Sequence, residues 1–156
     1  MPRIRIIVVG QTRSGFLQEG QAFYLDRLRH YIPVDWVETK PAPIGKNTTH
    51  QSVREQEARH LKKKLREREY LITMDRKGKT YDSLEFASHM EKLVTEQEGL
   101  VFVIGGAVGI AVDLLKGSQE VLSLSRFTFT HEMTRLFLLE QLYRAFTIMR
   151  GENYHK

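Results

Sequence analysis

The chain has 156 residues, 41% apolar and 28% charged, enough for one globular domain with a proper core. Its formal charge of +5 suits a polyanionic partner such as nucleic acid, and equally suits a soluble basic protein. Cysteine is absent, which excludes thiol catalysis, cysteine-ligated zinc and disulfides.

The opening run RIRIIVV is β-branched, short and closed by Gly10, the pattern of a buried strand. It is too short to cross a bilayer and lacks a signal peptide's layout, so a soluble cytoplasmic protein with no membrane contact is expected. Residues 11–15 form a turn. Residues 16–30 place Phe16, Phe23, Leu25 and Leu28 among polar residues as an amphipathic helix, which Pro33 ends. A second strand over 34–39 leads into a proline-bearing loop over 40–49. Residues 51–69 are heavily charged, acidic first and basic later, as a helix dipole favours. That stretch reads as a solvated helix, or as a basic face (Lys62, Lys63, Lys64, Arg66) that touches RNA.

YLITM, residues 70–74, is a third strand that ends in a turn at DRKGK. Asp82 caps a helix running to about Gln97, and Gly99 stops it. LVFVI, residues 100–104, is the most apolar strand and reads as central, buried on both faces. It runs into Gly105-Gly106-Ala107-Val108-Gly109. A short helix over 110–116, a fifth strand over 120–125 and a polar loop with aromatics then precede a long helix from Glu132 to about Arg150.

Strand and helix alternate throughout, which predicts an α/β fold: a parallel sheet with helices on both faces and ligands beyond the strands' carboxyl ends. With no repeat or linker, residues 1–156 form one domain. The last helix is apolar around most of its circumference, so a second subunit is expected to cover what 156 residues cannot.

GQTRSGFL has a phosphate loop's glycine spacing but places Phe16 and Leu17 where lysine and a hydroxyl residue are required. GGAVG allows either close backbone approach to a flat ligand or a tight turn. The six histidines show no metal spacing, so no metal is expected. Glu140 and Arg144 lie four apart and can pair. The residues alone lead to a basic α/β domain whose loops after Met74, Ile104 and Leu124 could share one pocket, and not to a reaction.

LVFVIGGAVGI, LSLSRFTFTHEM, EQLYRAFTIMRGENYHK and IRIIVVG together resemble one family across the whole chain. These are the bacterial 23S ribosomal RNA methyltransferases that modify N3 of a pseudouridine in helix 69, small members of the SPOUT class. The resemblance implies a five-stranded parallel sheet with a C-terminal trefoil knot, a homodimer, and large-subunit ribosomal RNA in an assembled ribosome as partner. It implies S-adenosyl-L-methionine as methyl donor, held by Met74, Gly105, Gly106 and Gly109 with Leu124, Ser125, Arg126, Phe127, Thr128 and Phe129. Tyr154 and His155 are expected to hold the flipped-out base and relay its proton, with His155 the candidate general base. Arg135 is a further catalytic candidate at developing charge, and Arg135, Arg144, Tyr154, His155 and Lys156 are expected to engage RNA. Two departures stand out: Met74 where the family has leucine, and Thr130 where it has proline. The alternative is a catalytically silent ribosome-binding or assembly factor with the same fold. A nucleotide-binding regulatory domain is disfavoured by the failed phosphate loop.

Overall fold

A computed structural model describes residues 2–156. In chain order the elements are β1 (Arg3–Val9), α1 (Gly15–Leu28), β2 (Val34–Thr39), α2 (His50–Lys62) and β3 (Glu69–Lys79). They continue with α3 (Ser83–Glu96), β4 (Gly99–Ile104), α4 (Val112–Lys116), β5 (Glu120–Leu122) and α5 (His131–Met149). The five strands form one sheet in the order β2-β1-β4-β3-β5, every pair parallel. β1 and β4 lie inside the sheet with helices over both faces, so both are buried almost throughout.

Side chains alternate across the sheet. Ile4, Ile6, Val8 and Phe102 pack with Leu28 of α1, Met90 of α3 and Leu138 and Leu142 of α5. Ile7, Val9, Val101 and Val103 turn the other way, onto Leu61 of α2 and Leu114 of α4. One face therefore carries three helices and the other two.

Three expectations need correction. β3 does not stop at Met74: Met74 and Lys79 both pair with Leu122, so the four residues between them bulge out of the ladder. Gly78 makes that possible, since a Cβ there would lie 2.6 Å from the carbonyl oxygen of Val121. The charged helix ends at Lys62, seven residues early, where the chain turns back to start β3. β5 ends at Leu122, leaving residues 123–129 as a loop.

The long helix α5 is also better covered than its composition suggests. It lies between α1 and α3 over the sheet, burying Leu138, Leu139, Leu142, Ala145 and Phe146 within its own chain. Gly20 lets α1 come close, because a Cβ there would meet Leu136 Cδ1 at 2.9 Å. Of its apolar side chains, Met133, Leu136, Phe137, Tyr143, Ile148 and Met149 remain half-buried.

Candidate functional site

The bulge of β3 and the loops after β4 and β5 meet in one cleft of about 970 Å³ at the carboxyl edge of the sheet. Met74, Ile104, Leu122 and Leu124 make its apolar walls, and residues 105–110 its glycine-rich side. Of the sequence-predicted donor residues, all but one line it: Met74, Gly105, Gly106, Gly109, Leu124, Ser125, Phe127, Thr128 and Phe129. Arg126 is the exception; it is exposed and outside the lining. The loop over 123–129 is folded on itself. Ser123 Oγ donates to the Ser125 carbonyl at 2.8 Å, and the Phe127 amide donates to Ser125 Oγ at 3.0 Å. Phe127 is left 80% exposed at the rim.

The glycines of GGAVG serve the turn itself. A Cβ at Gly105 would lie 2.9 Å from the Gly109 carbonyl group, and Gly109 has a φ of +88°. Gly109 N–H closes the turn on the Gly106 carbonyl at 3.1 Å. α2 supports the loop from the opposite face, where Arg54 Nη1 donates to the Val108 carbonyl at 3.2 Å.

α5 begins at the cleft. Thr130, the departure from proline, has a φ of −61°, the value a proline ring would have fixed. Its hydroxyl also accepts from the Met133 amide at 3.2 Å, so the helix gains an N-cap. Threonine here thus takes a backbone angle open to proline and adds a cap.

The match to known proteins is full-length. Residues 2–155 match a family described as "Predicted SPOUT methyltransferase". The chain belongs to the SPOUT methyltransferase family. It is 38% identical to "Ribosomal RNA large subunit methyltransferase H" of Parabacteroides distasonis over 98% of each chain. It is 40% identical to the protein of that name from Coprothermobacter proteolyticus over 99% of each. A solved structure, "a probable methylase family protein from Haemophilus influenzae Rd KW20", superposes with a TM-score of 0.57 at 16% identity. That superposition covers 98% of this chain and 70% of the other, and supports the fold alone.

In this SPOUT methyltransferase the remaining predicted residues fall in three places. Arg135 is fully buried, with Nη1 donating to Thr12 Oγ1 at 2.9 Å and Nη2 to the Val9 carbonyl at 2.6 Å. A guanidinium so enclosed touches neither RNA nor a reacting base, which corrects both roles expected of it. It holds the end of β1 to α5. Beside it Glu132 Oε1 accepts from the Arg13 and Ser14 amides at 2.9 and 3.2 Å. Burial works to raise the Glu132 pKa, but those two amides, with the charges of His131 and Arg135, outweigh it and hold it below the ordinary value.

The C-terminal tail packs further along α5. Tyr154 OH donates to Glu140 Oε1 at 3.0 Å, and Arg144 donates to the same oxygen from Nε and Nη2. Arg144 Nη1 also meets His155 Nδ1 at 3.1 Å. Because a guanidinium only donates, Nδ1 accepts, and His155 carries its proton on Nε2. Burial, then hydrogen bonding to Tyr24 and Glu140, pushes the Tyr154 phenol well above its usual range. Glu140 and Arg144 lie nine and thirteen residues beyond His131, roughly 14–20 Å along the helix axis. Neither Tyr154 nor His155 lines this chain's cleft. The lysines at the end of α2 are exposed at the opposite edge of the sheet, where Arg5 bonds the Lys64 carbonyl.

Sequence reading missed Ser14, Phe16, His50 and His131, all of which line the cleft. GQTRSGFL did signal a loop after a strand, though its glycines suggested the wrong ligand. His131 is half-buried, and burial followed by the Arg135 charge lowers its pKa, leaving it neutral at neutral pH. Among the described residues no group of three or more His, Asp or Glu could hold a metal. No described helix is long and apolar enough to cross a membrane.

Proposed function

We propose that this chain methylates N3 of a pseudouridine in helix 69 of 23S ribosomal RNA, using S-adenosyl-L-methionine, in the cytoplasm. Carrying the reading is the convergence of the β3 bulge and the loops after β4 and β5 on one cleft with apolar walls and a glycine-rich backbone side. Those walls fit a nucleoside-bearing ligand: Met74, Leu122 and Leu124 would cover its flat faces, and backbone N–H and C=O groups would meet its ring edges. When bound, the sulfonium supplies an activated methyl group for in-line displacement.

The chain's own groups align the acceptor and manage its proton. His131, neutral and lining the cleft, would be a candidate to take the proton that N3 sheds, alongside His155 of the tail. Tyr154 and His155 would hold the extruded base, with His155 donating from Nε2, and Arg144 and Lys156 would engage phosphate. Since the tail packs far from its own cleft, it would serve the cleft of a second subunit in a homodimer. The half-buried Leu136, Phe137 and Tyr143 give such a dimer an apolar seam. Residues 1–156 would act as a single domain, with the C-terminal part threaded as the family's trefoil knot and an assembled ribosome as substrate.

Mass spectrometry of ribosomal RNA nucleosides from cells with and without the protein tests the reading. Loss of one methylated pseudouridine in the deleted cells is expected. An unchanged nucleoside profile, together with no calorimetric binding of S-adenosyl-L-methionine, would instead favour the silent assembly factor.

A further inference from the structure

The bulge in β3 adds nothing to the sheet, yet it is built to hold its shape. Met74 and Lys79 both pair with Leu122, and Asp75, Arg76, Lys77 and Gly78 loop out between them. Gly78 lies against the Val121 carbonyl, where a Cβ would clash at 2.6 Å, and the Lys77 amide donates to Asp75 Oδ2 at 2.9 Å. Bulges beside active sites re-aim side chains. Here the bulge brings Arg76 to the cleft, and among the described residues Arg76 is the only arginine or lysine lining it.

Arg76 is exposed, as are Lys77 beside it and Arg126 on the loop over 123–129. Because β3 and β5 are paired, the bulge and that loop leave the sheet side by side. None of the three side chains belongs to an ion pair among the described residues. The sole acid on the two segments is Asp75, which is turned to the Lys77 amide. Glu132, the other carboxylate lining the cleft, accepts from the Arg13 and Ser14 amides. Lys79, where β3 resumes, is instead laid over the Tyr81 ring, 4.9 Å from its centroid. Three cations against one carboxylate make a rim that suits anions. A small carboxylate inside the cleft would engage Arg76 alone, since Arg126 lies outside the lining. A run of phosphates along a strand can engage all three.

We propose that Arg76, Lys77 and Arg126 grip phosphates of the RNA strand that carries the methylated nucleotide, close to that nucleotide. Arg126 then serves RNA binding in place of the donor contact expected of it. An arginine's planar fork meets two phosphate oxygens at once, and Lys77 adds a point charge. Such contacts carry no base information; they fix the strand's register so that the acceptor enters the cleft. The proposal rests on the reading of ribosomal RNA as substrate.

The test measures the affinity of fluorescently labelled enzyme for ribosomes as monovalent salt is raised. Compared with the unaltered chain are Arg76→Gln, a triple variant that adds Lys77→Gln and Arg126→Gln, and Arg76→Lys. Each lost phosphate contact should flatten the slope of log affinity against log salt by roughly 0.7. Arg76→Gln should therefore lose about 0.7 and the triple variant about 2, whereas Arg76→Lys, which keeps the charge, should retain the slope. Calorimetric affinity for S-adenosyl-L-methionine should stay within about twofold throughout, because the substituted side chains are exposed. An unchanged slope in the triple variant would overturn the proposal. So would an intact slope with donor affinity lowered about tenfold, which would assign Arg76 to the donor's carboxylate. Should the triple variant fail to fold, Arg76→Gln alone decides by the same slope. Failure of the parent reading looks different: the unaltered enzyme would then transfer no methyl group to ribosomes at any salt.

Discussion

Around the first turn of α5, charges are arranged to fasten the cleft rather than to face solvent. Arg135 commits two of its nitrogens to Thr12 and Val9, while Glu132 takes the amides of Arg13 and Ser14. Together they bind the loop after β1 to the helix that opens on the cleft. An arginine on a mostly apolar helix looks the same in sequence whether it reaches out to phosphate or in to backbone carbonyls. What distinguishes the cases is the neighbour, here a loop 123 residues earlier in the chain. Glu132 gives this fastening a pH signature. Its folded pKa is lowered, so its contribution is present above the ordinary value of 4.5 and is lost as pH falls through the lowered native value. Thermal unfolding followed from pH 7 down to pH 3 should show a steeper acid loss in the natural chain than in Glu132→Gln. Parallel curves would mean that the two amides do not stabilise the carboxylate.

At the scale of elements, the turn after β4 is built with almost no slack. Gly105 leaves no room for a side chain, since a Cβ would press on the Gly109 carbonyl group at 2.9 Å, which is backbone and cannot rotate away. Gly105→Ala should therefore displace the loop over 105–109 while β4 and its neighbours stay paired. Calorimetry should report at least about a tenfold loss of S-adenosyl-L-methionine affinity, with a stability cost of about 1–3 kcal/mol from overpacking. Unchanged affinity would detach this loop from donor binding. The strand is plain in the sequence, because a short continuous apolar run closed by glycines suits a strand buried on both faces, whereas GGAVG alone leaves a tight turn and a ligand loop equally open. The bulge in β3 was not legible, since DRKGK obeys turn chemistry and only the pairing of Lys79 with Leu122 reveals that the strand resumes. Sheet order was hidden for the same reason: crossovers leave no mark on the residues they connect.

For the whole molecule, the decisive distance separates the two ends of α5. The cleft opens at its first turn, and the tail is pinned by Glu140 and Arg144 roughly 14–20 Å further on. Within one chain, therefore, the cleft and the tail lie apart. A two-fold dimer that repeats both contacts would complete two sites at once. This arrangement predicts complementation between two inactive variants. Gly105→Ala removes the cleft and keeps the tail, whereas deletion of residues 154–156 removes the tail and keeps the cleft. With S-adenosyl-L-methionine held well below the weakened Kd of Gly105→Ala, each alone should methylate ribosomes slowly. Unfolded and refolded together in equal amounts, half the dimers would be mixed, and each mixed dimer would hold one complete site, about a quarter of natural activity. Refolding matters, because mixing folded dimers without exchange yields nothing under either hypothesis. Full inactivity after verified subunit exchange, shown by a tagged partner recovered with its untagged mate, would place the tail's work in its own chain or outside the reaction.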